Sequence, residues 1–137
     1  LACDWRVLGE SCYLYVPEVK IGLNLQWGAL PRLIGLVGPS RAKRICLLDE
    51  KMDARTALDW GLAEEVTQDG QTVARAREMA ATVCTMPQVA TQMVKEAVNA
   101  TAGALNRASS FADADQSWLT AMTDDAQSAR DRFNSTS

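Results

Sequence analysis

One carboxylate in this chain is the best candidate for acid/base chemistry. Glu18 lies between apolar neighbours in residues 16–23, directly after a short apolar segment typical of a strand and just before a loop. Removing water from a carboxylate raises its pKa, which lets such a group hold or accept a proton near neutral pH. The chain has no histidine, so Glu18 is the leading candidate. The structural alternative is a solvated glutamate in a turn.

Composition limits the classes of protein to which the chain can belong. Its 137 residues, 47% hydrophobic and 23% charged, are typical of one globular domain with an ordinary core. The net charge is −3, which argues against a nucleic-acid partner because phosphate binding needs an excess of Lys and Arg. No apolar run approaches the roughly 18 residues of a membrane span, so no membrane contact is predicted.

The cysteines predict neither a metal site nor disulfides. Cys3, Cys12, Cys46 and Cys84 are widely separated and include no Cys-x-x-Cys pair. A structural zinc site needs closely spaced ligand pairs, so no metal site is expected. Two disulfides are formally possible, but this composition favours buried free thiols in a reducing compartment. We therefore predict a cytoplasmic protein.

The elements around Glu18 follow from local patterns. Residues 5–8 and 12–16 read as two strands joined by a tight turn. Gly28 opens a helix that ends at Gly38, and Pro39 begins the next helix. Asp53 is a good N-cap for a helix over residues 54–60, which Gly61 ends.

The second half of the chain is predicted to be helical. After a short strand at 62–66, amphipathic helices are expected at 71–84 and 87–102, the second with Val89, Met93, Val94, Ala97 and Val98 facing inward. Residues 104–133 are rich in alanine and acidic residues and hold few large apolar side chains. This segment is therefore expected to lie against another part of the molecule or another subunit. We divide the chain into residues 1–70, which carry the acidic loop, and residues 71–137, a helical oligomerisation region.

Six segments, in this order and at this spacing, resemble one family. They are LACD at 1–4, PEVKIGL at 17–23, PRLIGLVGPSRAK at 31–43, DARTALDWGLA at 53–63, PQVA leading to KEAVNA at 87–100, and Asp125-Ala126 followed by Phe133. Together they resemble the crotonase (enoyl-CoA hydratase/isomerase) superfamily. The resemblance covers the whole chain but only about the C-terminal half of the usual family length.

The resemblance implies an α/β fold: the C-terminal part of a spiral of ββα turns, followed by helices that pack subunits into a homotrimer or a hexamer made of two trimers. It implies an acyl-CoA substrate and no cofactor beyond the coenzyme A that the substrate carries. The two backbone N–H groups of the family's oxyanion hole would precede Leu1. Losing one such donor slows catalysis by about two to three orders of magnitude, so this sequence alone is expected to be inactive.

The resemblance also assigns the site residues. Glu18 matches the second acidic position of the family and is expected to act as general acid/base in a lyase or isomerase reaction. The competing hypothesis is a non-catalytic truncated subunit or oligomerisation module. The expected substrate-binding residues are Pro17, Asn24, Leu25, Trp27 and Phe133.

The loop after Glu18 departs from the family pattern. Where most hydratase-like members have a Pro-Gly-x-Gly-Gly-Thr run, this chain has bulkier residues at 24–30, including Leu25 and Trp27. Glycine replacement fills space and stiffens the backbone, which predicts a reshaped acyl pocket with Trp27 as its wall. The alternative is that Trp27 packs in the core or in a trimer contact.

Overall fold

Two small sheets organise the first half of the molecule. In the computed structural model, which describes residues 1–135, β1 (Val7–Gly9) pairs in parallel with β4 (Glu65–Thr67), and β2 (Tyr13–Leu14) pairs antiparallel with β3 (Met52–Asp53). The predicted tight turn is present, since the Cys12 N–H donates to the Gly9 carbonyl at 3.0 Å. The two strands that flank this turn do not pair with each other, because each finds its partner far along the chain.

The first long helix is broken where the sequence predicts a boundary. α1 (Ala29–Leu47) leaves helical geometry at Gly38, whose φ of 76° lies in the left-handed region, and Pro39 follows directly. Glycine adopts this conformation without the steric cost of a Cβ, and proline suits the first turn of a helix because that turn needs no N–H from it. The two expected helices are thus confirmed as two segments that meet at Gly38.

The predicted cap of the next helix is confirmed in atomic detail. α2 (Ala54–Asp59) begins after Asp53, whose side-chain oxygen accepts from the Thr56 N–H at 2.7 Å. This hydrogen bond favours the charged carboxylate and lowers the pKa of Asp53. Gly61, at φ 80°, follows the helix as expected.

The core lies between the two segments of α1, α2 and the strands. Leu8, Leu14 and Val16 pack against it from the strand region. Apolar side chains of α1, α2 and the adjoining loops fill it: Leu25, Leu33, Val37, Ala42, Ile45, Cys46, Met52, Ala57, Leu62 and Ala63.

The cysteine prediction is correct for one thiol of four. All four cysteines are free, but only Cys46 is buried, while Cys12 is half-buried and Cys3 and Cys84 are exposed. Cys46 faces the core from α1, whereas Cys3 and Cys84 lie near the start of the chain and at the end of a helix whose outer face is uncovered. Burial therefore follows the position of each cysteine in the fold and not its residue type.

Five helices complete the described chain: α3 (Thr72–Cys84), α4 (Gln88–Ala102), α5 (Asn106–Ser110), α6 (Asp113–Ala121) and α7 (Asp124–Ser135). The bounds of α3 and α4 agree closely with those predicted from periodicity. Arg75 holds α3 to β4 through an ion pair with Glu65 at 2.7 Å. None of the helices within residues 1–135 combines the length and the hydropathy needed to cross a membrane.

The prediction that the apolar stripe of α4 faces inward is wrong for this single chain. Val89, Met93, Val94 and Val98 are all exposed, and none of the helices α3 to α6 contains a buried residue. An apolar stripe indicates that a helix face is suited to burial, but the pattern does not say whether the covering surface belongs to the same chain.

The last helix returns to the acidic segment. α7 packs against a 3₁₀ helix at Val19–Ile21, and Ala126 in this contact is only 1% exposed. Gly22 makes the close approach possible: a Cβ at this position, where φ is 78°, would lie 2.3 Å from the Cα of Ala126. The two backbones can meet only because residue 22 has no side chain.

We expect Gly22→Ala to lower the free energy of unfolding by about 3 kcal/mol, because it adds overpacking against Ala126 to the cost of a left-handed backbone. Gly70→Ala is the matched control, since Gly70 has a φ of 83° and no atom within 4 Å of an added Cβ. The control should cost about 1 kcal/mol from backbone strain alone. Urea denaturation of both variants measures the difference, and equal losses would refute the packing role of Gly22.

Candidate functional site

Glu18 is held by a compact backbone turn. It stands just before the 3₁₀ helix, with helical dihedral angles of −54° and −49°. Its carbonyl accepts from the N–H of Ile21 at 3.2 Å and from that of Leu23 at 2.8 Å, and the Pro17 carbonyl also accepts from Ile21 at 3.2 Å. These bonds bring the two ends of the segment 17–23 together and fix the direction in which Glu18 leaves the backbone.

The carboxylate of Glu18 is half-buried and incompletely paired. Among residues 1–135, two buried side-chain oxygens have no hydrogen-bond partner: Oε2 of Glu18 and Oδ1 of Asn24. An unpaired buried acceptor costs about 1–3 kcal/mol, and more if it is charged. Such atoms are rare in folded proteins, and a catalytic role is one of the explanations for them. Both of these oxygens belong to one short segment of the chain.

The charge of Glu18 reaches the edge of the core. Burial raises the pKa of the Cys46 thiol, and the nearby negative charge of Glu18 raises it further. Glu18 therefore borders the core side of α1, in agreement with the apolar setting expected from its sequence neighbours. The alternative that Glu18 is a fully solvated glutamate in a turn is wrong, because its Oε2 is buried.

The loop that follows Glu18 separates its two bulky residues. Leu25 is a member of the core, whereas the side chain of Trp27 is 76% exposed. The interpretation of Trp27 as a core residue is therefore wrong, and a pocket wall or a subunit contact remains. Leu25 contacts other core side chains, and its role in substrate binding stays a prediction.

Trp27 also has an unusual backbone. Its φ of 62° is positive, and Gly28 beside it has the same φ. A bulky residue in the left-handed region is strained by about 1–3 kcal/mol, and strain of this kind recurs at functional sites. A glycine at this position, as in the usual family pattern, would carry no such strain.

Two contacts that sequence reasoning missed tie this loop to α6. The Gly28 N–H donates to Oδ2 of Asp113 at 2.8 Å, and Nδ2 of Asn24 donates to Oε1 of Gln116 at 3.3 Å. Asp113 and Gln116 are three residues apart on one helix, so they share a face. The acidic start of α6 was visible in the sequence, but no local signal linked it to residues 24–28.

Phe133 lies on the same side of the molecule as the acidic segment. α7 carries it to the 3₁₀ helix, where Nζ of Lys20 is 6.0 Å from the centre of its ring. Lys20 also pairs with Asp49 at 2.7 Å, and Asp49 accepts from the Tyr15 hydroxyl. These partners lower the pKa of Asp49, and the same hydrogen bond from Lys20 to Asp49 raises the pKa of Lys20.

Two cavities of the structure lie away from Glu18. A groove of about 1080 Å³ runs between the first six residues, α1 and α4, and a smaller cavity of about 390 Å³ lies beside Trp60 at the end of α1. Within residues 1–135, no three Cys, Asp or Glu side chains cluster as a metal site would require. The candidate site is thus the segment 17–28 with its partners on α6 and α7, and neither cavity forms part of it.

Comparison with known proteins decides the family. A family model described as Enoyl-CoA hydratase/isomerase matches residues 1–136. This chain belongs to the enoyl-CoA hydratase/isomerase family. It is 31% identical over 99 residues to a putative enoyl-CoA hydratase/isomerase of Bacillus subtilis, and 32% identical over 100 residues to a probable mitochondrial enoyl-CoA hydratase of Dictyostelium discoideum. The matches cover 72% and 73% of this chain but only 38% and 36% of those relatives.

Solved structures confirm the predicted α/β fold class. An enoyl-CoA hydratase from Mycobacterium avium subsp. paratuberculosis superposes with a TM-score of 0.89 at 27% identity, over 98% of this chain and 55% of that one. A carnitinyl-CoA hydratase from Mycobacterium avium gives a TM-score of 0.89 at 26% identity, over 98% and 53%. This chain therefore has the enoyl-CoA hydratase/isomerase fold, and it corresponds to about half the length of these structures.

We expect the free energy of unfolding of the Trp27→Gly variant to be about 1 kcal/mol higher than that of the Trp27→Ala variant. Both variants remove the exposed indole, but only glycine relieves the positive φ. Thermal or urea unfolding of the pair measures this difference. Equal stabilities would show that residue 27 is not held in the left-handed region in solution.

We expect Glu18→Gln to lower the pKa of the Cys46 thiol, because it removes the negative charge that disfavours the thiolate. Alkylation of Cys46, followed by peptide mass spectrometry, should then begin at a lower pH than in the parent chain. Glu10→Gln, at an exposed position on the turn between β1 and β2, is the control and should leave the profile unchanged. Identical profiles for all three proteins would contradict the proximity of Glu18 to Cys46.

Proposed function

We propose that this chain contributes the acid/base residue of an acyl-CoA enzyme of the crotonase type, acting as a lyase or an isomerase. The observation that carries the proposal is the buried, unpartnered Oε2 of Glu18 on the segment that matches the family motif. The names of the relatives, among them a crotonyl-CoA hydratase and a short-chain-enoyl-CoA hydratase, support a thioester substrate of this class.

In the proposed reaction Glu18 exchanges a proton with the α-carbon of the thioester or with the attacking water. Removing an α-proton generates an enolate, whose charge needs preorganised donors near the thioester oxygen. The resemblance assigns these N–H donors to a part of the family fold that precedes the segment matched by Leu1. We therefore propose that this chain is inactive by itself.

The remaining site residues have supporting roles in this proposal. Pro17 and Leu25 shape the segment around Glu18, and Trp27 forms an exposed apolar wall for the acyl chain. Phe133 reaches the acidic side of the molecule through α7 and is proposed to contact coenzyme A. No further cofactor is proposed, and a cytoplasmic location stays a prediction.

A second function is favoured by the uncovered apolar surface of the later helices. Large apolar side chains are exposed from α4 to just beyond α6: Val89, Met93, Val94, Val98, Leu105, Phe111, Trp118, Leu119 and Met122. Patches of this kind mark interaction surfaces. They support assembly into a homotrimer or hexamer, either alongside the acyl-CoA chemistry or, in the competing hypothesis, as the only role of the chain.

The test combines mass and turnover. Native mass spectrometry measures the mass of the purified protein and of any complementary polypeptide that co-purifies with it. The same sample is assayed for hydration and isomerisation of enoyl-CoA substrates. We expect turnover when a complement is present, and a loss of about two to four orders of magnitude in Glu18→Gln.

Glu10→Gln, the same charge change at an exposed position, is the control and should keep full activity. Unchanged turnover of every acyl-CoA in Glu18→Gln would refute the catalytic role. A stable trimer without complement, thioester binding or turnover would favour the assembly module.

A further inference from the structure

One carboxylate contacts the chain on both sides of Glu18. Asp49, which follows α1, accepts from the Tyr15 hydroxyl at Oδ1 and from Nζ of Lys20 at Oδ2, the second contact at 2.7 Å. We infer that Asp49 is a positioning residue: it holds the Lys20 ammonium away from Glu18, so that the Glu18 carboxylate stays available for proton transfer. The inference rests on the proposed function, in which Glu18 is the acid/base residue.

Lys20 is the cation closest to Glu18 along the chain, two residues away. Both side chains face the same end of α1. Lys20 pairs with Asp49, and burial together with the charge of Glu18 raises the pKa of the Cys46 thiol in the last turn of the helix. A lysine ammonium is a point charge on a flexible four-carbon stem, so it can turn between two nearby carboxylates. A carboxylate paired with a cation is a weaker proton acceptor than an unpaired one.

The structure shows where the ammonium is held. Oε2 of Glu18 is buried without a partner, whereas both oxygens of Asp49 accept hydrogen bonds. The bonds from Lys20 and from Tyr15 lower the pKa of Asp49, and the bond to Asp49 raises the pKa of Lys20. The pair is therefore charged at neutral pH, and Tyr15 holds the carboxylate in the direction that meets Lys20.

The backbone of Asp49 indicates that its side chain has a role. Asp49 has a φ of 56°, in the left-handed region, directly after Leu48, the C-cap of α1. Glycine is the usual residue at this position past a helix, because it adopts the conformation without a Cβ clash. Glycine would offer no carboxylate to Lys20, and aspartate is one of the few other residues that tolerate a positive φ. Strain of this kind recurs at functional sites.

The exposure of the pair separates a positioning role from a structural one. The side chains of Lys20 and Asp49 are 44% and 37% exposed. Ion pairs that solvent reaches add little to the stability of a fold. Losing the charge of Asp49 should therefore change the surroundings of Glu18, while the melting temperature of the chain stays within about 3 °C of the parent value.

Alkylation of Cys46 tests the inference on the full chain and needs no turnover. The pH at which alkylation begins is measured with and without Glu18→Gln, in the parent, Asp49→Asn and Glu50→Gln backgrounds. Asn keeps the tolerance for a positive φ. Glu50→Gln is the control, because it removes the same charge from a neighbouring carboxylate that pairs with Arg44. Each comparison is made within one background, so the direct effect of residue 49 on the thiol cancels.

We expect Asp49→Asn to reduce the shift caused by Glu18→Gln by about half or more, because the released ammonium screens the charge of Glu18. Glu50→Gln should leave the shift unchanged. In any sample that turns over an enoyl-CoA, Asp49→Asn should also lower kcat about two- to fivefold, the size of one exposed ion pair, with KM unchanged.

Removing the ammonium as well distinguishes the release of Lys20 from a general loosening of the loop. The double variant Asp49→Asn, Lys20→Met lacks the charge that would pair with Glu18, so the shift caused by Glu18→Gln should return to about the parent value. A purely structural role of Asp49 predicts no such rescue, and it predicts a lower melting temperature for Asp49→Asn.

The outcomes separate this inference from the proposed function. An undiminished shift in Asp49→Asn, or no recovery in the double variant, overturns the role of Asp49 and leaves the acyl-CoA proposal standing. The absence of a shift in the parent chain also overturns it, because Glu18 would then not lie beside the end of α1. Unchanged turnover in Glu18→Gln refutes the catalytic role of Glu18 whatever the alkylation shows.

Discussion

The close approach of Gly22 to Ala126 is the contact on which the candidate site depends. It lets α7 lie directly on the 3₁₀ helix that follows Glu18, at a separation that no side chain at position 22 would allow. The same helix then brings Phe133 to Lys20. Small residues thus join the first part of the described chain to the last. The acidic segment is closed by its own backbone hydrogen bonds, and a helix from the far end of the sequence packs against it.

Near this contact, two buried polar atoms have no hydrogen-bond partner, although pairing them would favour folding. Glu18 and Asn24 each present a buried acceptor without a partner, although backbone hydrogen bonds close the turn at residues 17–23. The same loop holds Trp27 at a positive φ. Unpaired acceptors and local strain in one segment support the proposal of a binding site, because a ligand can pair with atoms that the free protein leaves unpaired. The contacts from Asp113 and Gln116 on α6 keep the loop in this state.

The surface of the later helices has a different character. From α4 onward the chain exposes apolar side chains and buries few of them until α7 returns to the 3₁₀ helix. The chain also spans less than two fifths of the length of the curated relatives described above. The exposed apolar surface thus lies on a part of the chain separate from Glu18, the proposed acid/base residue.

Local chemistry was sufficient for every feature that depends on a few adjacent residues. The Asp53 cap, the break at Gly38, the ends of α3 and α4, and the candidacy of Glu18 all follow from side chains that act on their own backbone or on immediate neighbours. Tertiary structure alone decided the strand pairing, the exposure of Trp27 and of the α4 stripe, the burial of Cys46 and not of Cys3, and the roles of Asp113 and Gln116. Each of these depends on which distant segment comes into contact, and that is settled by packing across the whole chain, which local patterns do not encode.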